Sequence, residues 1–450
     1  MTQSLLQSGQ VQDSAACLTR PRHIPVRLEN RIGHLAMARL YSMIDQGASG
    51  VANIIALAIL GRALPVEQFG AIGMMIGLHY FVAGFHRSAI VLPYLTVHHA
   101  EPASAAIHVE NSAWWWISTA GALAVSALLA AAGLMVSLIA PVFPTLHWLV
   151  TPLFLSAVVT PSMLAAEFTR RWLFKIDRAD LVAVFALVYF CVLIGSALVA
   201  TRLNSDAGAG ALTWAAASIG VTTLALCVLR PVRVLRPVIG RIVHVHRAEA
   251  GWLASANLPY SVYGSATIVI LIGMLVGPVA AGIFTAVRTL TNPAMSIVSA
   301  IDSTDKPRAT RALAEAGMAG LQRAITRTRA LIGLTTGAYL GAVALWADQL
   351  ATLVYDEHYT NVTVEVRLLA LAFFLAGLNQ PSETRLIVLK AGRTMLIVRS
   401  ITAVLAIASL TIAASWGVTG MAVAITGIQI FNLLLLWLAE RRVASKGIAK

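Results

Sequence analysis

Apolar residues in this chain do not alternate, and they do not recur as single narrow faces. They come in long runs parted by short polar stretches. The opening shows the pattern: RLYSMIDQGASGVANIIALAIL begins at Arg39, the polar hairpin GRALPVEQFG follows, and AIGMMIGLHYFVAGFHRSAIVLPY ends at Tyr94. A helix of about 20 residues rising 1.5 Å each crosses a hydrocarbon core of about 30 Å, and both runs reach that length. The same unit returns near residue 252. Read this way, the chain predicts about twelve spans: 39–60, 71–94, 114–140, 149–168, 181–200, 213–229, 252–276, 283–301, 330–353, 364–389, 395–415 and 421–438. Pro152 and Pro161 interrupt the fourth, and Trp114, Trp115 and Trp116 open the third with rings suited to a membrane interface.

The order of spans implies an all-α polytopic membrane protein of about 12 transmembrane helices in two pseudo-symmetric six-helix lobes. A tail, 1–38, precedes an N-terminal lobe, 39–229. The stretch RPVRVLRPVIGRIVHVHRAEAG, 230–251, forms a linker; a C-terminal lobe, 252–438, and a tail, 439–450, close the chain. Each lobe opens with two spans joined by a short turn, at 62–73 and 277–288. With six spans per lobe, the lobes share orientation and relate by an axis along the membrane normal.

Composition supports the membrane reading. Hydrophobic residues make up 58% and charged residues 12%, against about 25% charged in a soluble domain. The net charge of +13 would suit a nucleic-acid binder, but its placement argues for topology instead. Lys and Arg gather in the tails and after spans 4, 6, 8 and 10. The opposite loops hold little beyond Arg62 and Arg202, and YDEHY at 355–359 is acidic. Both termini, 230–251 and 302–329 are therefore expected in the cytoplasm, with no nucleic-acid partner. No apolar core with a cleavage site precedes the first span, so no removable signal peptide is expected. Cys17, Cys191 and Cys227 fit no disulfide framework or metal spacing, and His98, His99 and His108 match no zinc pattern. No G-x-S-x-G, P-loop or H-E-x-x-H motif occurs, which points away from an enzyme, from ATP hydrolysis and from any cofactor.

Candidate chemistry lies in polar residues within the spans, because ionisable groups at membrane depth ordinarily face an interior cavity or a partner. Ser42, Asp45, Gln46, Ser49 and Asn53 share one face of span 1. His79, His86 and Arg87 share a face of span 2. Span 8 carries Arg288, Asn292, Ser299 and Asp302, and span 10 carries Asn379, Gln380, Glu383 and Arg385. Ser, Asn and Gln are accounted for as hydrogen-bonding contacts between helices. Asp45 is the candidate ion-coupling carboxylate; Arg87 and Arg288 are the candidates for a cavity.

Several stretches resemble the polysaccharide repeat-unit flippases of the multidrug/oligosaccharidyl-lipid/polysaccharide exporter superfamily: DQGASGVANIIALAIL with GRALPVEQFGAIG, GWLASANLPYSVYGSATIVILIGMLVGPVAAGIFTAVRTLTNPAMSIV, EFTRRWLFKIDRAD, LATLVYDEHYTN, KAGRTM and SWGVTGMAVAITGIQ. The resemblance covers roughly residues 35–440. It implies lobes around a central cavity that move undecaprenyl-diphosphate-linked oligosaccharides across the bacterial inner membrane, beside polymerase or assembly proteins. On that substrate, Arg87 and Arg288 are expected to hold the diphosphate from the second helix of each lobe, with His86 and Asn292 as lesser contacts; arginine stays charged and grips phosphate oxygens in pairs. Two alternatives stand beside it: an ion-coupled multidrug exporter of the same superfamily, and a transport-inactive scaffold of a polysaccharide assembly complex.

Overall fold

The computed structural model describes residues 28–96, 105–203, 206–264, 267–359 and 361–448. The expectations for the tail up to Arg27, including Cys17, and for His98 and His99 fall outside these residues. The described residues form helices with no strand among them. In chain order they are α1 (Leu28–Ala63), α2 (Val66–His86), a π-helical turn (Arg87–Val91) leading into α3 (Leu92–Thr96), α4 (Ala105–Ile139), α5 (Val150–Lys175), α6 (Ala179–Leu203), α7 (Ala207–Leu229), α8 (Arg236–Tyr263), α9 (Ile268–Val276), α10 (Pro278–Thr291), α11 (Pro293–Leu345), α12 (Ala347–Tyr355), α13 (Thr363–Val388), α14 (Gly392–Ala413) and α15 (Gly417–Ile448).

Local chemistry sets the breaks. Pro65 lacks a donor and stands where α1 gives way to α2. Asp206 caps α7, its Oδ1 accepting from the Ala209 amide at 2.6 Å. Gly277, at φ +118°, turns the chain before Pro278 starts α10.

Among the described residues, nine helices are long and apolar enough to cross a membrane, or ten if α8 and α9, bent by 51°, make one crossing. Two long helical stretches each hold a reversal. In α11 the chain doubles back at Ala316 and Gly317, and Thr328 then reaches across to donate to Asp305 at 2.6 Å. The first limb of α11 completes the crossing begun by the 14-residue α10, and the second limb is a crossing of its own. At Gly417, φ +64°, α14 turns back along α15, the two packing side by side. Resolved so, the described residues make twelve helical passes.

The structure extends several elements beyond their sequence-derived bounds. Residues 236–251, read as part of a linker, continue the helix of the seventh pass, because Ile242 packs into the cluster around Trp172 and His246 lies against the Trp114 ring at 5.3 Å. The stretch 302–329, read as a charged helical loop, is helical, and folds into a hairpin at Ala316 and Gly317. Helix α5 runs to Lys175, which places Arg170 and Arg171 on the same helix as Glu167, whereas the sequence-derived span ended at Phe168 and left the two arginines to a basic loop. Helix α1 already begins at Leu28 and α15 reaches Ile448, both within stretches expected as tails.

The two lobes repeat one packing plan. In the first, α1 packs on α6, α4 on α5, and α7 on both α5 and α6. In the second, α8 packs on α14, the second limb of α11 on α13, and α15 on both α13 and α14.

Between the lobes, α2 and α10 cross so closely that side chains are excluded. A Cβ on Gly70 would overlap the Pro278 carbonyl, one on Gly282 the Val66 carbonyl, and one on Gly73 the Thr285 hydroxyl. This crossing lies near the short turns at Leu64–Pro65 and Gly277. The same end carries an aromatic group: Phe69 of the first lobe meets Tyr355 and Tyr359 of the second, each with ring centroids 6.1 Å apart. Tyr355 covers Gly61, where a Cβ would lie 2.5 Å from its ring, and Arg62 donates to the Leu353 carbonyl at 2.8 Å. Burial pushes the Tyr359 phenol above its ordinary range, so it stays neutral among these rings.

Candidate functional site

Away from that crossing, toward the arginine-rich end, the lobes part. Gln46 and Gly47 of α1 are exposed, as are Ser296 and Ser299 of α11. A Cβ on Gly50 would meet only Ser296, at 4.0 Å. Polar residues exposed on facing helices make this a cleft rather than a packed interface, and the candidate residues are placed relative to it.

Arg288 lies deepest. It is nearly three turns into α10, about 15 Å from the helix start, and only 8% exposed. Its guanidinium carbon stands 5.9 Å from the Tyr80 ring, within reach of a cation–π attraction. Its Nε has no hydrogen-bond partner, and no carboxylate pairs with it among the described residues. A buried charge without a counter-charge is costly, which makes this residue the least explained by packing. Asn292 sits one turn further, half-buried, at the kink where Pro293 starts α11.

Arg87 lies elsewhere. It follows the 21 residues of α2, so it is about 30 Å from the short-turn end, and its side chain is 53% exposed. It binds Glu167 at 3.3 Å. Glu167 also accepts from Arg170 at 2.7 Å and from Arg171 at 3.0 Å. Asp45, 4% exposed, is held by Arg170 at 3.4 Å. Three arginines and two carboxylates thus form one network joining α1, α5 and the π turn. His86 faces α4, with its Nε2 2.9 Å from Ser118 Oγ. Arg87 and Arg288 therefore stand at different depths, and Asp302 engages Lys306 and Thr384 rather than Arg288.

The second lobe has its own polar set. Glu383 pairs with Arg399 at 2.7 Å, and Glu440 accepts from Arg385 at 3.3 Å and Arg329 at 3.5 Å. Each pair stays within its own lobe. Three arginines against two carboxylates in the first lobe, and two against Glu440 in the second, leave both sides of the arginine-rich end positive.

Glu167, Arg170 and Arg399 were not singled out from sequence. Glu167 sat at the very end of the span read as 149–168, and Arg170 in the basic stretch that follows it. A signal existed: Glu167 with Arg170 and Arg171 at the helical spacings of three and four. Among the described residues no group of three or more His, Cys, Asp or Glu could hold a metal ion.

No protein-family profile matches the chain, and no curated protein sequence matches it. Solved structures do. One is a multidrug resistance MATE family transporter of the MOP superfamily in an inward-facing conformation, with 16% identity, TM-score 0.60, and 92% of this chain and 98% of that chain covered. The lipid II flippase MurJ, in an inward closed conformation, matches with 9% identity and TM-score 0.65 over 89% of this chain and 87% of that one. A point mutant of the Vibrio cholerae MATE transporter VcmN matches with 12% identity and TM-score 0.56 over 92% and 97%. At these identities the likeness is one of fold: this chain has the two-lobed architecture of those transporters.

Proposed function

We propose that this protein is an integral membrane transporter that flips an undecaprenyl-diphosphate-linked oligosaccharide across the bacterial inner membrane, its lobes 39–229 and 252–438 rocking about the α2–α10 crossing. The observation that carries this reading is Arg288: a cation at mid-depth, buried, beside the cleft, with no carboxylate partner among the described residues. A diphosphate brings the missing counter-charge, and the guanidinium fork suits it. Arg87 at the wide end receives the same group first, through its exposed face, with Arg170 and Arg171 adding to the field. Asn292 follows Arg288 along the cleft wall. His86, turned toward α4, supports the helix that carries Arg87.

Arg87→Gln and Arg288→Gln, inserted at normal levels, are expected to abolish polysaccharide export, with Arg→Lys retaining part of it. Full export in the double Gln variant overturns the reading and favours a transport-inactive scaffold.

A multidrug exporter is the second reading, favoured by the buried Asp45 and half-buried Glu167 carboxylates and by the MATE structures of like fold. Export of a cationic dye such as ethidium that falls in Asp45→Asn while polysaccharide is unaffected would select it. Orientation follows from the arginine-rich end facing the cytoplasm. A cysteine at Arg241 should then resist an impermeant reagent applied to intact cells; rapid labelling reverses the topology.

A further inference from the structure

The second lobe encloses a polar cavity that the diphosphate reading leaves unused. Tyr260 and Tyr263 of α8, Asn379 and Glu383 of α13, and Gln429 and Asn432 of α15 line it. All but Tyr260 are buried. Some of these polar atoms are satisfied: Asn379 Nδ2 donates to Gln429 Oε1 at 3.1 Å, and the Thr402 hydroxyl donates to Asn432 Oδ1 at 3.2 Å. Others are not. Asn379 Oδ1 and the Tyr263 hydroxyl, on residues each 3% exposed, have no partner. Buried polar atoms are nearly always paired, so orphans aimed at one cavity point to an occupant.

The charges say what kind. Glu383 and Arg399 neutralise each other at 2.7 Å, and Arg399 further lies over the Tyr260 ring at 4.9 Å. The cavity therefore has amides, hydroxyls and an aromatic ring face but no net charge. That set suits neither a phosphate nor a free cation. It suits vicinal hydroxyls, which donate to amide carbonyls and carboxylates while the C–H face of the ring rests on an aromatic. The cavity holds about 50 Å³, room for a few waters, which the hydroxyl edge of one ring replaces.

Its position fits the diphosphate site. Phe284 lines the cavity one helical turn before Arg288, about 6 Å along α10. Met295, also on its wall, precedes Ser296 at the cleft. We infer that this cavity is the sugar subsite, seating the saccharide next to the diphosphate held at Arg288. The inference rests on the lipid-linked oligosaccharide reading above.

Binding to the purified full chain in nanodiscs tests it, with two probes: bare undecaprenyl diphosphate, and the same lipid carrying one N-acetylhexosamine. The natural protein should hold the sugar-bearing lipid more tightly. Asn379→Ala should weaken that binding about tenfold, the loss of roughly one good hydrogen bond set, and leave the bare lipid unchanged. A natural protein that binds neither lipid defeats the transport reading itself. Equal binding of both lipids, or a preference that survives Asn379→Ala, overturns the sugar subsite while leaving that reading intact. If Asn379→Ala also loses the bare lipid it is misfolded, and Gln380→Ala, on the same wall, decides by the same measurement.

Discussion

Glu167 is the residue on which the first lobe's charges depend. Arg87, Arg170 and Arg171 all converge on its two oxygens. Glu167→Gln would leave those guanidinium groups repelling one another around a neutral amide. We expect a loss of about 3 kcal/mol, read as a fall in melting temperature in detergent, and partial recovery when Arg171 is changed to Gln as well. An unchanged melting temperature would mean solvent already screens the set. Gly70 makes the matching case for packing. Gly70→Ala has no side chain to push aside, only the Pro278 carbonyl, so overpacking by about 1–3 kcal/mol follows. The sequence showed part of this site and hid part. Asp45 and Arg288 stood out because charge is rare inside apolar runs. Glu167 did not, because a helix end that leaves the hydrocarbon looks, residue by residue, like the loop that follows it.

At the level of elements, the apolar runs located nearly every crossing, while their ends and bends escaped. The reason is that hydropathy reports lipid, and the helices outlast it. Helix α8 continues through an arginine-rich stretch because Ile242 and His246 find partners on the first lobe, a tertiary contact that no local pattern announces. The fold at Gly317 was equally silent, since Ala and Gly inside a charged helical stretch read as ordinary. The segment Asp356–Tyr359 carries a strain of its own: Asp356 adopts φ +58° and ψ −149°, a region open in practice to glycine alone. Asp356→Gly should relieve it and raise stability by about 1 kcal/mol. A lower melting temperature for that variant would show that the aspartate side chain earns its place by contacts instead.

For the whole molecule, the short-turn end is shut by aromatic rings and backbone, and the other end is open. Replacing Phe69 and Tyr355 by Ala removes the rings that join the lobes, and should shift the population toward opening at the short turns. A cysteine at Leu64 in that variant should react faster with an impermeant thiol reagent than in the parent; equal rates would assign closure to the glycine crossing alone.

The surplus of positive charge on both lobes at the wide end has a further consequence. Like charges facing across a gap repel, and salt weakens that repulsion over a Debye length of about 8–10 Å. An unloaded protein is thus propped apart by its own arginines. On the transport reading proposed above, an anionic passenger would cancel that repulsion from within, so the mouth would close more readily behind a load than behind nothing. A carrier of that kind would have a built-in bias against idle cycles, set by electrostatics and independent of any gradient.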